Sequence, residues 1–140
     1  MTWLVDTNII SEIRKGARCH PAVAGRWARV EERDLFLSVL TFGEIRRGIR
    51  DVRQRDPAKA GVLERWLAEV SNAFGARIIG VDLAVAAAFR RISAARSVPV
   101  IDALLAPTAK VHDLVLVTRN TADVSGLGVR TLNPFDEPQA

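Results

Sequence analysis

The chain has 140 residues, 49% hydrophobic and 26% charged, so we expect one folded domain over residues 1–140 rather than a disordered chain. No apolar run approaches the roughly 20 residues that cross a bilayer, and Asp6 interrupts the N-terminal apolar stretch, which argues against a membrane span and a signal peptide. The single cysteine, Cys19, allows no internal disulfide and fits a reducing cytoplasm, and the pair Cys19–His20 has no second pair with which to bind zinc.

Basic residues exceed acidic ones modestly, with 20 Lys and Arg against 16 Asp and Glu and a net charge of +4. Five arginines cluster in one short stretch, at Arg46, Arg47, Arg50, Arg53 and Arg55. Arginine suits phosphate recognition because its guanidinium binds two oxygens at once, but a solvated helix face explains the cluster equally well. No aromatic residues are interleaved with it, so a base-stacking surface is not predicted.

Short β-branched runs alternate with longer stretches of helical periodicity along the whole chain. In chain order we predict a strand at 3–5, helices at 8–16 and 20–32, a strand at 35–39, helices at 41–53 and 56–75, a strand at 77–81, helices at 82–96 and 101–113, and strands at 114–118 and 129–132. Pro21 suits the first position of its helix, and Asp56, Pro57 and Gly75 are typical start and stop signals. Pro107 is an anomaly in its helix.

This alternation of near-continuous apolar strands with helices predicts an α/β fold, in which a parallel sheet is covered by helices on both faces. In open parallel sheets, ligands bind outside the carboxyl ends of the strands. We therefore expect functional residues directly after the strands.

Four acidic residues stand close behind predicted strands or at the start of predicted helices. They are Asp6 after the first strand, Glu44 in the first turn of the helix at 41–53, Asp102 at the head of the helix at 101–113, and Asp123 in the loop after the strand at 114–118. Because strand ends and helix N-termini meet at one edge of a parallel sheet, we expect the four side chains to converge.

Each acid also has a purely structural interpretation. Asp6 and Asp102 are suitable helix N-caps, and Asp123 suits a turn. Thr41 and Glu44 match the T-x-x-E capping box, in which Glu44 hydrogen bonds back to a backbone N–H. The joint pattern still favours function, because four caps meeting at one sheet edge by chance is less expected than any one of them.

Clustered carboxylates repel one another unless a cation joins them. Hard oxygen ligands select Mg²⁺ or Mn²⁺ over zinc, and such ions activate water and neutralise charge on a phosphodiester. The two histidines, His20 and His112, adjoin no suitable Ser or Cys nucleophile, and the G-x-x-x-x-G-K-[ST] phosphate loop is absent from the sequence. The acids therefore favour metal-dependent phosphodiester chemistry.

Four segments, which together cover nearly the whole chain, carry a more specific pattern: LVDTNIISE, LSVLTFGEIRRGI, IDALLAPTAKVHDLVLVTRNTADV and GVRTLNPF. In this order they resemble the PIN-domain ribonucleases, in particular the VapC/FitB-like toxins of bacterial toxin–antitoxin pairs. The D-T-N opening alone is weak, but its combination with the G-E helix, D-A-L-L-A and V-T-R-N-x-x-D is specific.

The resemblance implies a three-layer PIN-like fold with a central parallel sheet of about five strands flanked by helices, and divalent-metal-dependent cleavage of RNA. It makes Asp6, Glu44, Asp102 and Asp123 the catalytic quartet, and we expect all but Glu44 to bind Mg²⁺ or Mn²⁺.

Further residues and partners follow from the same resemblance. Asn8, Thr118 and Asn120 match polar support residues of the family, and Arg46 and Arg119 are candidate phosphate contacts. The partners it implies are the RNA substrate and a cognate antitoxin that inserts an Arg among the acids. We also expect a homodimer or a dimer of toxin–antitoxin complexes, and no membrane association.

The helices at 41–53 and 56–75 have wide apolar faces that a domain this small is not expected to cover completely. These faces include Ile45, Ile49, Leu63 and Trp66, and we expect part of them to pack against an antitoxin helix.

Two positions depart from the family pattern. Val124 replaces the usual Phe after the last acid, which is expected to loosen the segment carrying Asp123. Pro107 replaces a small helix former and is expected to bend the helix carrying Asp102 or disturb its start. Two other functions remain open: a non-catalytic module that binds nucleic acid or protein, and a phosphatase-like enzyme with Asp6 as nucleophile.

Overall fold

The computed structural model describes residues 1–93 and 100–136. Within them lie five strands: β1 (Trp3–Val5), β2 (Leu35–Ser38), β3 (Ile78–Ile79), β4 (Val115–Val117) and β5 (Thr131–Leu132). All pairings are parallel, and the order across the sheet is β3-β2-β1-β4-β5. The predicted α/β fold with a five-stranded parallel sheet is confirmed.

Helices make up most of the connections in this part of the chain. They are α1 (Thr7–Ile13), α2 (Pro21–Arg29), α3 (Val39–Arg53), α4 (Pro57–Phe74), α5 (Leu83–Ser93), α6 (Val100–Val111) and α7 (Thr121–Val124). Short 3₁₀ turns lie at Gly16–Arg18, Glu32–Asp34, Gly75–Arg77 and Pro134–Asp136. Of the helices so described, none is long and apolar enough to cross a membrane.

Helices cover both faces of the sheet. Leu4 and Val5 in β1 are 0% and 1% exposed, and as neighbours in a strand they point to opposite faces. Val5 belongs to a buried cluster with residues of α1, α2, α3 and α4, whereas Leu4 packs in a second cluster with residues of α6 and α7. The molecule therefore has the predicted three layers.

The register of the central strands sets the position of the acidic edge. Val5 of β1 pairs with Val117 of β4, so the next residues, Asp6 and Thr118, leave the sheet side by side. The backbone N–H of Asp6 also donates to the carbonyl oxygen of Val117 at 2.9 Å, which extends this pairing by one residue.

Two predicted helices end earlier than expected. The helix predicted at 8–16 ends at Ile13, and Gly16 adopts a φ of +60°, a left-handed conformation that cannot continue a helix. The helix predicted at 20–32 ends at Arg29. The predicted end of the helix at 82–96 lies outside the described residues.

Strand β1 has its predicted bounds, and the other four strands are shorter than predicted, most of all at the two edges of the sheet. The strands predicted at 77–81 and 129–132 retain two residues each, in β3 and β5. Both are edge strands, which have a backbone hydrogen-bonding partner on one side only.

The two departures from the family pattern lie in well-packed surroundings. Helix α6 continues through Pro107, which is buried, and the hydroxyl of Thr108 donates to the carbonyl oxygen of Leu104 at 2.7 Å. Val124 is 2% exposed and contributes to the cluster beneath α6. The expected bend at Pro107 and the expected loosening around Val124 stay predictions.

Candidate active site

Asp6 leaves β1 and caps α1, so its interpretation as an N-cap is confirmed. It is 4% exposed. Its Oδ1 accepts the backbone N–H of Thr7 at 2.7 Å, and its Oδ2 accepts the hydroxyl of Thr118 at 2.7 Å. Burial raises the pKa of Asp6 above its usual value, and the hydrogen bonds from Thr118 and Thr7 oppose that rise. Asp6 thus caps α1 and still lies at the carboxyl edge of the sheet.

The expected support residues surround Asp6. Asn8 Nδ2 lies 3.4 Å from Asp6 Oδ2 and 3.5 Å from Thr118 Oγ1, and Asn8 Oδ1 accepts the backbone N–H of Arg119 at 3.2 Å. Asn120 donates its backbone N–H to Thr118 Oγ1 at 3.0 Å. Asn8 and Thr118 therefore contact Asp6 directly, whereas Asn120 acts on it through Thr118.

The capping box predicted at Thr41 and Glu44 is wrong. Helix α3 begins at Val39, because Ser38 Oγ accepts the backbone N–H of Leu40 at 3.1 Å. Glu44 consequently lies in the second turn of the helix rather than the first. The buried hydroxyl of Thr41 has no hydrogen-bond partner within the described part of the chain.

Glu44 instead joins α3 to α1. Its Oε1 accepts the hydroxyl of Thr7 at 2.9 Å. Burial raises the pKa of Glu44 most strongly, the Thr7 hydrogen bond opposes the rise, the charge of Asp6 adds to it and that of Arg47 reduces it. Glu44 is therefore within electrostatic range of both the acidic edge and a neighbouring cation.

Asp102 shows most directly that the four acids share one site. It lies in the first turn of α6, inside the helix rather than at its N-cap. Burial and then the charges of Asp6, Asp123 and Glu44 raise the pKa of Asp102 to about 6. Asp6, Glu44 and Asp102 line one cleft, and Asp123 lies near enough to act electrostatically on Asp102. Asp123 is exposed and lies in the one-turn helix α7, not in the loop that was predicted.

Three of the four acids, Asp6, Glu44 and Asp102, open onto a cleft with an empty volume of about 780 Å³. Its lining residues are Asp6, Thr7, Asn8, Glu44, Ile101, Asp102 and Asn120. Their side chains offer carboxylate, hydroxyl and amide oxygens and no histidine or cysteine, a donor set that suits Mg²⁺ or Mn²⁺.

Besides burial, repulsion from the neighbouring carboxylates raises the pKa of Asp102, and a cation bound among them would relieve that repulsion. Among residues 1–93 and 100–136, no group of three or more Asp, Glu, His or Cys side chains is arranged so that it could hold a metal ion without rearrangement. Ligation of one ion therefore requires side-chain rotation or bridging waters.

The two candidate phosphate contacts lie in different surroundings. Arg46 lines a surface depression with Phe42 and Glu64, between α3 and α4, and does not line the acidic cleft. Arg119 stacks on the ring of Phe135, with its guanidinium carbon 4.4 Å from the ring centroid. Arg119 thus packs against Phe135, and its role as a phosphate contact stays a prediction.

Two residues of the site were not singled out from the sequence, Thr7 and Arg47. Thr7 donates through both its backbone N–H and its hydroxyl, to Asp6 and Glu44 respectively. Arg47 lies three residues after Glu44, a helical spacing that places two side chains on one face and that contained the signal for it.

Comparison with known proteins identifies the family of the chain. The PIN domain family model matches residues 3–123, a span that contains all four acids. Toxin FitB of Neisseria gonorrhoeae is 31% identical over 140 residues, covering 96% of this chain and 99% of FitB. Ribonuclease VapC14 of Mycobacterium tuberculosis is 38% identical over 66 residues, covering 47% of this chain and 63% of that protein.

A structure of FitAB bound to the IR36 DNA fragment superimposes with a TM-score of 0.87 at 26% sequence identity, covering 98% of both chains. The family match, the full-length similarity to FitB and the shared fold lead to one assignment: this chain belongs to the PIN-domain family, among its VapC/FitB-like toxins.

Proposed function

We propose that this protein is a divalent-metal-dependent endoribonuclease and the toxin of a toxin–antitoxin pair. The observation that carries the proposal is the geometry at the carboxyl edge of the sheet, where Asp6, Glu44 and Asp102 line one cleft and Asp123 lies near enough to raise the pKa of Asp102. An uncompensated acidic cleft repels RNA, whereas the same cleft holding a cation attracts a phosphodiester. Similarity to FitB, a toxin, and to VapC14, a ribonuclease, supports the same activity.

The proposal gives the four acids two roles. Asp6, Asp102 and Asp123 hold Mg²⁺ or Mn²⁺, which when bound supplies positive charge for the phosphate and makes water more acidic. Thr118 and Thr7 fix the orientation of Asp6 through the hydrogen bonds described above. Glu44 Oε1 accepts the hydroxyl of Thr7, which orients the carboxylate, and burial raises the pKa of Glu44, which favours its role as acceptor of a proton from the attacking water.

An antitoxin helix fits a groove beside the cleft. This antitoxin groove has an empty volume of about 690 Å³, includes Leu63 and Trp66 among its lining residues, and reaches Thr7 and Glu44 at the edge of the active site. The chain itself already buries Ile45 and Ile49, which are 8% and 5% exposed and form the floor.

We infer that an amphipathic antitoxin helix packs in this groove and places an Arg among the acids. Because this Arg and the metal ion neutralise the same carboxylates, high Mg²⁺ or Mn²⁺ is expected to weaken inhibition. Inhibition that ignores added metal, together with an antitoxin Arg→Ala change that has no effect, contradicts this part of the proposal.

Self-association is a separate part of the proposal. Val81 and Leu83, which follow β3, are 42% and 87% exposed, an unusual display of apolar surface. A two-fold contact between such surfaces gives a dimer of toxins or of toxin–antitoxin complexes. Leu83→Glu is expected to lower the mass measured by light scattering, and a wild-type toxin or complex without two-fold mass contradicts the proposal.

The proposed activity is tested with Asp6→Asn. Asn keeps the shape and the N-cap function but removes the charge, so cleavage of single-stranded RNA with Mn²⁺ is expected to fall by about 100-fold. The matched control is Asp113→Asn, because Asp113 pairs with Arg130 at 2.8 Å and its side chain is 95% exposed. The control is expected to cleave at the wild-type rate, and chelation of the metal is expected to stop both proteins.

Two results contradict the proposal. The first is wild-type cleavage by Asp6→Asn, which excludes a charged role for this residue. The second is a wild-type protein that cleaves no RNA with either metal, which favours a non-catalytic binding module. A phosphorylated Asp6 trapped with a phosphate-ester substrate indicates the phosphatase-like alternative, although both oxygens of Asp6 already accept hydrogen bonds.

A further inference from the structure

A second groove leads away from the acidic cleft along α3. This α3 groove has an empty volume of about 1010 Å³, and it shares Glu44 and Ile101 with the lining of the cleft. Its other lining residues include Val39, Gly43 and Arg47. The two depressions are therefore continuous at Glu44, and an extended ligand that occupies the cleft can continue into the groove.

Gly43 provides part of the space in the α3 groove. A Cβ atom built on Gly43 meets no heavy atom within 4 Å, so open space lies directly above the backbone of the helix there. A bulky chain such as a sugar-phosphate backbone can approach the helix closely at this position.

Arg47 is the cation of this groove. It is exposed, lines the groove, and lies near enough to Glu44 to lower the pKa of that carboxyl. Arg46, the adjacent residue, lines the separate depression between α3 and α4 and takes no part in the groove. The two neighbouring arginines therefore face different surfaces.

We propose that the α3 groove binds the RNA strand on one side of the cleaved bond, with the Arg47 guanidinium on a phosphate next to the one at the acids. This inference rests on the proposed ribonuclease activity and extends it to a binding subsite. Arg47 follows Glu44 by about one helical turn, roughly 5 Å along the axis, so the subsite directly adjoins the cleft.

The chemistry of the groove favours contacts to the RNA backbone. Its lining contains Arg47 but no aromatic residue, so the groove offers a phosphate ligand without a surface for base stacking. Phosphate contacts position a strand and carry no sequence information. We therefore expect Arg47 to strengthen binding to RNA of any sequence. Asp51 lines the groove one turn beyond Arg47, and its charge marks the end of the region that suits a phosphate.

The first experiment compares Arg47→Ala with Arg46→Ala. Binding of a labelled single-stranded RNA of mixed sequence is measured by fluorescence anisotropy in the Asp102→Asn background, which prevents cleavage in the proposed mechanism. Arg47→Ala is expected to raise Kd by about tenfold, the loss of one charged hydrogen-bonded contact, and to reduce the salt slope of log Kd by about 0.7. Arg46→Ala is expected to change Kd by less than about twofold and leave the slope unchanged.

The second experiment fills the groove with Gly43→Leu. Leu favours helix more than Gly and meets open space at this position, so the variant is expected to fold and to melt no lower than the wild type. Its KM for the long RNA is expected to rise at least about tenfold. Gly25→Leu is the control, because Gly25 also meets open space but lies in α2 and lines neither depression.

The outcomes separate this inference from the proposed function. Equal effects of the two Arg→Ala changes, or equal effects of the two Gly→Leu changes on KM, overturn the subsite. A change in molecular mass or antitoxin affinity with RNA binding unaltered also overturns it, since the groove then serves a protein partner. A wild-type protein that binds RNA through Arg47 but cleaves none refutes the activity and leaves the binding surface intact.

Discussion

Among single residues, Asp102 bears most of the electrostatic cost of the active site. Asp6 is more deeply buried, but hydrogen bonds from Thr7 and Thr118 compensate its carboxylate. For Asp102, burial and three neighbouring charges all act in the same direction and bring the pKa to about 6. Ionised Asp102 is therefore disfavoured in the folded protein until a cation joins the cluster.

This cost predicts that Asp102→Asn stabilises the metal-free protein. The pKa of Asp102 in the folded protein is raised from its ordinary value of 3.8, so the cost of ionisation grows as the pH rises through this interval and is complete above about 6. We expect the variant to gain about 1 kcal/mol in free energy of unfolding at about pH 8, a figure reduced for solvent screening.

Urea denaturation in the presence of a chelator measures this gain at about pH 8 and again at about pH 4. The gain should largely vanish at the lower pH, because the Asp102 carboxyl is then mostly protonated in the folded protein and partly protonated in the unfolded chain. A variant that is less stable than the wild type at the higher pH contradicts the prediction. Added Mn²⁺ should stabilise the wild type more than Asp102→Asn, because the ion relieves the repulsion that the substitution has already removed.

Glu44→Gln separates a chemical role from a structural one. The Gln side-chain oxygen can still accept the hydroxyl of Thr7, so the free energy of unfolding is expected to change by less than about 0.5 kcal/mol. Cleavage is expected to fall by about 100-fold or more if Glu44 handles a proton. Single-turnover cleavage and urea denaturation of the same preparation test both statements, and an unchanged cleavage rate assigns Glu44 to the contact between α1 and α3 alone.

At the scale of elements, strand positions were easier to predict than helix starts. The apolar runs before Asp6 and Thr118 define central strands because both faces of the sheet are covered. The start of α3 was missed because Ser38 lies inside the apolar run LFLSVL, whereas Thr41 and Glu44 match a familiar capping pattern. Which hydroxyl caps a helix depends on where the strand before it ends, and that depends on pairing with residues distant in sequence.

The corrected start of α3 makes opposite predictions for two buried hydroxyls. Ser38→Ala removes the oxygen that accepts the backbone N–H of Leu40, so it is expected to cost about 1 kcal/mol. Thr41→Val replaces a hydroxyl that lacks a partner among the described residues with a methyl group of similar shape, so stability is expected to be equal or higher by up to about 1 kcal/mol. Urea denaturation of both variants tests this. If Thr41 formed a capping box, Thr41→Val would lower the free energy of unfolding more than Ser38→Ala does.

At the scale of the whole molecule, one sheet edge joins three surfaces: the acidic cleft, the α3 groove and the antitoxin groove. Glu44 lines all three. The sequence indicated the acids because their positions after strands follow from fold class alone. It could not distinguish Arg46 from Arg47, since the face that a helix presents to the cleft is set by its packing against α4 and the sheet.

The antitoxin groove predicts that inhibition can be removed without loss of catalysis. Leu63 is partly buried and lines the groove between α3 and α4, so Leu63→Glu places a charge where an apolar antitoxin side chain is expected. The adjacent Val62 is 52% exposed on the same helix and does not line the groove, which makes Val62→Glu a matched control. We expect Leu63→Glu to weaken antitoxin binding by at least about tenfold while RNA cleavage by the free toxin stays at the wild-type rate.

Titration of the co-expressed antitoxin into a cleavage assay measures both quantities. Equal inhibition of the two variants means that the antitoxin reaches the acids by another path, and loss of cleavage in Leu63→Glu alone means that the groove belongs to the catalytic structure itself.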